Sequence, residues 1–186
     1  MKKILIFAFM LAAVCLKAQD VTGFWQTFYD SRHQDPKSVV AIYRYNGKIY
    51  GRAVLIYEEG SRGQKIIDTM FNPVFDAAPN IVRVVNGQDV RVKAAGLDVI
   101  LDMTPNTGRG RWLYEDGYII NPQNGNKYRA QMRFDNNGNL VVRGHLRVSS
   151  LLGRSITAER FDTTQFPAGL DIPDYTSFVP DPPIVR

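Results

Sequence analysis

The segment Lys127–Phe134 alternates without a break: Tyr128, Ala130, Met132 and Phe134 in one phase, Lys127, Arg129, Gln131 and Arg133 in the other. A period of two cannot give a helix a single apolar stripe, but it gives a strand one apolar face and one polar face. Leu140–Val148 repeats the pattern, with Leu140, Val142, Leu146 and Val148 interrupted at Gly144 and set against Val141, Arg143, His145 and Arg147. Between them, Asn136-Asn137-Gly138 predicts a three-residue hairpin loop with Gly138 left-handed, which pairs Asp135 with Asn139. That register sets Arg129 opposite His145 and Lys127 opposite Arg147. Like charges directly across a sheet repel, so this face is read as a solvated outer surface, as a site for an anionic group or as a partner surface.

The same period recurs along most of the chain. Ser38–Tyr45 and Lys48–Tyr57 are strands joined by Asn46-Gly47, the pair suited to a type I′ turn. Val21–Tyr29, Ile81–Val85, Val90–Lys93, Leu97–Met103, Gly117–Asn121 and Ser155–Phe161 are read as further strands. Asp30–Lys37 is a polar loop, Pro122–Asn126 a turn, and Glu58–Asn80, broken by Gly60, Gly63, Pro73 and Pro79, an irregular excursion with room for one short helix. The fold class is all-β. About eight strands in hairpin order suit an antiparallel up-and-down barrel, which removes sheet edges by closing on itself, with an open sandwich as the alternative.

The ends of the 186-residue chain differ from this middle. Lys2 and Lys3 precede an apolar run, Ile4–Leu16, and Lys17-Ala18-Gln19 follows, the pattern of a signal peptide at residues 1–18 cleaved after Ala18. The run is too short for a comfortable membrane span, and Val14 is a poor residue to precede a lipidated Cys15. The expectation is a periplasmic or secreted protein with a β domain at residues 19–161. Without Cys15 the processed chain holds no cysteine, so neither a disulfide nor a thiolate site is available to it. Removing Lys2, Lys3 and Lys17 lowers the net charge from +5 to about +2, which gives little support for a nucleic-acid partner. Residues 162–186 hold five of the ten prolines together with Phe166, Leu170, Ile172, Tyr175 and Phe178. This Pro-rich tail, acidic overall, is expected to lie against the barrel, its basic face being the complementary place.

No catalytic constellation emerges, and neither a metal site nor a cofactor is expected. His33 and His145 lack a His-x-His or His-Glu-x-x-His context, no Gly-x-Ser-x-Gly occurs, and Asp98 with Asp102 shares one strand face without an opposing carboxylate. The first hairpin says more. Val40 and Ile42 share a face with Ile49, Gly51, Ala53 and Leu55, an aliphatic wall in which two small residues leave room. Facing inward, it is either packed core or the wall of a site for a slender apolar ligand, with Asp30–Lys37 at its mouth.

Four segments occur in a telling order: Gly23-Phe24-Trp25, Asn46-Gly47-Lys48-Ile49-Tyr50-Gly51, Ile120–Tyr128 around Asn121-Pro122-Gln123-Asn124-Gly125, and Leu140-Val141-Val142-Arg143-Gly144 followed by Leu151-Leu152-Gly153-Arg154. Together they resemble the bacterial domain of unknown function family 2147 over roughly Val21–Phe161. The resemblance implies an exported, lipocalin-like barrel and carries no established activity or catalytic residue. It also implies a closure at Gly23 and Trp25 in which an arginine of the last strand, Arg160 or else Arg154, covers the indole. The functional expectation is a non-enzymatic envelope protein that binds a small apolar or amphipathic molecule. The competing class is an interaction or structural module with an envelope protein partner, acting through the outer face or the tail.

Overall fold

The computed structural model describes residues 20–108, 110–146 and 149–186. The signal-peptide reading, Cys15 and the Lys127–Arg147 pairing lie outside the described residues. Twelve strands are present among them: β1 (Gly23–Phe28), β2 (Pro36–Tyr45), β3 (Lys48–Tyr57), β4 (Ile66–Thr69), β5 (Ile81–Val85), β6 (Gln88–Arg91), β7 (Asp98–Pro105), β8 (Tyr114–Ile120), β9 (Lys127–Phe134), β10 (Leu140–Leu146), β11 (Ser149–Arg160) and β12 (Ile184–Val185). Eight of them close an antiparallel barrel in the order β1-β2-β3-β7-β8-β9-β10-β11, with β11 returning to β1. The two hairpin turns are those the local sequence dictates. Asn46 and Gly47 both have positive φ, 47° and 79°, while Gly138 at φ 82° closes the Asp135–Asn139 loop, and Arg129 stands opposite His145.

Irregularities in the strands decide which residues face inward. In β3 an extra residue, Val54, separates Ala53, paired with Val40, from Leu55, paired with Val39. A one-residue bulge reverses the phase of everything after it. Ala53 therefore keeps to the inner face, whereas Leu55 turns outward into an apolar cluster with Phe24, Val39, Ala41 and Val54, which corrects its place on the expected wall. Between β7 and β8 the left-handed residues Asp102 (φ 56°) and Asp116 (φ 60°) do the same, so β8 starts at Tyr114, ahead of the expected Gly117.

The excursion and the tail supply a second layer. No helix forms between Glu58 and Asn80; β4 pairs instead with the end of β3, where β7 has left it. The Asp68 carboxylate is buried and accepts the N–H groups of Thr69, Val74 and Phe75, satisfying the donors of a turn around Pro73 that a helix would have satisfied internally. The tail docks on the outer face of β1–β3, away from the basic face: Phe166, Leu170, Tyr175 and Phe178 pack against Phe24, Val39, Ala41 and Val54. This apolar face compensates a tail of hydrophobic character, which outweighs the weak pull of scattered surface charges. Its latch is the Asp98 carboxylate, buried beneath it. Asp98 takes two hydrogen bonds from the Arg52 guanidinium at 2.8 and 3.1 Å, one from the Tyr43 hydroxyl at 2.9 Å and one from the Asp181 N–H at 2.7 Å. Burial and this carboxylate push the Tyr43 phenol far above its ordinary range, so it stays a donor. Arg52 also reaches the Val179 carbonyl and stacks on Phe178. The chain ends by adding β12 to the β5–β6 hairpin.

Candidate functional site at the open end of the barrel

The barrel interior has two unlike ends. At the end that holds the Asn46-Gly47 turn, Trp25, Ile42, Ile49, Met103, Met132 and Leu140 form one buried cluster. Trp25 donates its indole N–H to the Val21 carbonyl at 2.8 Å. The Arg160 guanidinium lies 4.7 Å above the ring and is fixed by a 2.6 Å hydrogen bond to the Thr22 carbonyl. Gly23 is what allows this approach: a Cβ there would stand 2.7 Å from Arg160 Nη1, on a backbone with φ 116°. Arg154, the other candidate for this closure, is at the opposite end and exposed.

The aliphatic wall divides accordingly. Val40, Ile42 and Ile49 belong to the packed cluster. The room at Gly51 is already taken, since its missing Cβ would meet Ile100 at 2.9 Å. Gly144 likewise lies beneath Ile119. Glycines on the inner face therefore admit neighbouring side chains instead of leaving a deep void.

Toward the other end the packing gives way. The inner row continues with Thr27, Ser38, Ile56, Ile119, Tyr128 and Ile156, all half-buried except Ile156. Ile156 pairs in register with Val142, a member of the packed cluster, and so shares its inward phase, yet it is 43% exposed where Val142 is 8% exposed. The reason is the barrel's seam. β1 and β11 are joined by two register pairs, Trp25–Arg160 and Gln26–Glu159, whereas β10 and β11 are paired from Leu140–Ala158 to Leu146–Ser149. Beyond Glu159 the two strands part. A clasp sits at the last rung: His33 of the β1–β2 loop, left-handed at φ 58° and stacked on Phe28, places Nδ1 2.6 Å from the Glu159 carboxylate.

Two cations belong to this end, Lys37 and Arg154, the latter paired with Gly144 in the same phase as Ile156. Lys37 is the residue set aside where β2 slips its register, between Pro36, paired with Phe28, and Ser38, paired with Thr27. Its ammonium donates to Gln123 Oε1 at 3.3 Å. Gln123 belongs to the β8–β9 turn, and β2 and β9 are four positions apart in a ring of eight strands, so the Lys37 side chain crosses the mouth. Burial holds the Lys37 ammonium below its ordinary pKa; Glu59 works against that shift and Arg154 adds to it. Beneath the two cations, the Thr27 and Ser38 hydroxyls are 2.7 Å apart, followed by Ile56, Ile119 and Tyr128. This is a polar rim grading into an apolar wall, the arrangement that suits a molecule with a charged head and an apolar body.

The sequence sets the Asp30–Lys37 loop at the mouth without singling out Lys37, offers Arg154 only for the closure, and does not point to Ile156. The signal available was the inward phase of Ile156, four residues before Arg160 on the same strand. Elsewhere the outer face of β9 and β10 carries Lys127, Arg129, Arg133, Arg143 and His145. Lys127 lies 4.3 Å over the Tyr118 ring, Arg133 5.6 Å over Trp112, and Asp116 is 3.9 Å from Arg129. Among the described residues no group of three or more His, Cys, Asp or Glu side chains is placed to hold a metal ion, and no helix is long and apolar enough to cross a membrane.

Comparison with known proteins follows the barrel. A family model described as "Uncharacterized protein conserved in bacteria (DUF2147)" matches residues 23–160. A solved structure, described as protein HP1028 from the human pathogen Helicobacter pylori and as belonging to the lipocalin family, superimposes with a TM-score of 0.52. It has 18% sequence identity and covers 78% of this chain and 85% of that one. At that identity the likeness shows the fold. No curated protein sequence matches the chain.

Proposed function

The chain belongs to this family of uncharacterized bacterial proteins, and from its lipocalin-like barrel we propose that it binds a small amphipathic molecule at the open end of the barrel, without catalysis, in the cell envelope. The apolar part of the ligand lies against Ile119, Tyr128 and Ile156, and an anionic head meets Lys37 and Arg154. The observation that carries the reading is Ile156, an inward-phase isoleucine left 43% exposed at the end of the barrel where Lys37 reaches across to Gln123. An exposed large aliphatic residue on the inner face of a barrel is surface that a ligand would cover. The envelope address rests on the sequence pattern Lys2-Lys3, Ile4–Leu16 and Ala18.

Titration of the delipidated, processed protein with a dansyl-labelled undecanoic acid tests the proposal. Binding with a micromolar Kd is expected, weakened at least about tenfold, or about 1.4 kcal/mol, by Ile156→Asp and several-fold by Lys37→Met. Absence of binding to the wild-type protein, or affinities that ignore both substitutions, would leave the competing class, an envelope interaction module acting through its outer face. The cations that line the outer face of β9 and β10 favour that second reading.

A further inference from the structure

Apolar side chains are distributed unevenly over the outside of this molecule. Among the described residues thirteen large hydrophobic side chains are exposed, and six of them, Phe71, Val74, Phe75, Val84, Val85 and Val90, fall on the excursion and the β5–β6 hairpin that follows it. Single exposed apolar residues are ordinary, whereas a concentration of this kind marks a surface that something covers.

The turn at its centre is held in place by its backbone. Phe71-Asn72-Pro73-Val74-Phe75 contains no charged residue, and Phe71, Val74 and Phe75 are 46%, 56% and 50% exposed. The buried Asp68 carboxylate accepts the Val74 N–H at 2.8 Å and the Phe75 N–H at 3.2 Å, and the Lys93 ammonium donates to the Val74 carbonyl at 2.8 Å. The chain leaving the turn runs beside the continuation of β6, with Ala94 N–H on the Phe75 carbonyl at 2.9 Å and Ala77 N–H on the Val92 carbonyl at 2.8 Å. Turn and hairpin are therefore tied into one layer. Their apolar side chains are presented to solvent by a backbone that is already ordered, so covering them carries little further ordering cost.

Charge distinguishes the occupants. Met70 and Pro73 share a shallow depression with Arg83, Arg91 and Lys93. Asp76 lies 2.9 Å from Lys93 and 3.7 Å from Arg91, Asp181 lies 2.8 Å from Arg83, and Asp89 is matched by Arg186. The flank of the apolar patch thus keeps one positive charge in excess. A two-fold pairing with a second copy would set this positive flank against itself. An anionic lipid surface instead takes protruding apolar side chains into its acyl boundary and attracts cations at its headgroups.

We propose that the Phe71–Phe75 turn and the tip of the β5–β6 hairpin seat the protein on an anionic lipid surface. Phe71, Val74 and Phe75 enter the boundary between headgroups and acyl chains, and Arg83, Arg91 and Lys93 lie at headgroup level. The attachment is peripheral and reversible, since a few apolar side chains and a small excess charge give only a weak hold. It is independent of ligand binding at the mouth, because it uses neither Ile156 nor Lys37.

Sedimentation of the processed full chain with vesicles of equimolar phosphatidylglycerol and phosphatidylcholine tests this. Saturable binding is expected, several-fold weaker on phosphatidylcholine alone. The double variant Phe71→Ser, Phe75→Ser is expected to weaken it at least tenfold, about 1.4 kcal/mol. Its melting temperature and its affinity for dodecanoic acid should stay those of the wild type, because both side chains lie outside the packed clusters. On bicelles of the same lipids carrying a nitroxide-labelled lipid, the amide signals of Phe71, Val74, Phe75, Val84 and Val85 should broaden while those of Arg129 and His145 persist. No binding to the anionic vesicles, equal binding to both compositions, a double variant that binds like the wild type, or broadening centred on β9 and β10 would each overturn the proposal. So would a dimer that the double variant dissociates, which would give the patch to a second copy.

Discussion

The two ends of this barrel are built from the same strands and differ in almost everything else. At the closed end, Trp25 is buried, hydrogen-bonded through its indole and covered by Arg160. At the open end the same two strands have parted, and Ile156, one step of the inner row beyond Ala158, meets solvent. A closed sheet satisfies its backbone all the way round, and giving up rungs at one place costs stability locally. The comparison teaches that the barrel spends its packing at one end and leaves access at the other, where the rim is polar, cationic and spanned by one long side chain.

The sharpest way to break that contrast is to remove its anchor. Trp25→Ala is expected to lower unfolding stability by about 3–5 kcal/mol in chemical denaturation, as truncation of a buried aromatic does. A loss below about 1 kcal/mol would mean that the closed end does not hold the barrel together. Arg160→Met sharpens the comparison at smaller amplitude. It keeps much of the aliphatic cover and removes the cation over the indole, and is expected to cost about 0.5–2 kcal/mol. Because the closure and the mouth lie at opposite ends, this substitution should leave amphiphile affinity within about twofold, a difference of about 0.4 kcal/mol.

Much of this architecture is legible in the residues. Asn46-Gly47 and Asn136-Asn137-Gly138 demand their turns, and strict alternation in Lys127–Phe134 assigns each side chain to a face, so the register of Arg129 on His145 follows from the sequence. What escaped has a common cause. A single inserted residue, Val54, or a left-handed one, Asp102 or Asp116, reverses the phase of a strand without changing its composition, so simple alternation puts Leu55 on the inner face and stops short of Tyr114. The excursion was illegible for another reason. Its shape depends on a buried carboxylate, Asp68, whose partners at Thr69, Val74 and Phe75 follow no periodic pattern. The site residues fall between these cases. Lys37 lies across the mouth because the chain slips register after Pro36, and Ile156 is exposed because a ladder stops two rungs in, and both facts concern how distant strands meet.

The most direct test of the two-ended barrel is to ask which isoleucines a bound amphiphile touches. Methyl-labelled protein saturated with dodecanoic acid should show intermolecular nuclear Overhauser effects from the ligand's chain to Ile156 and Ile119, and none to Ile42 or Ile49, which lie within the packed cluster behind them. Contacts to Ile42 and Ile49, or a ligand that contacts no inner-face isoleucine at all, would contradict the account.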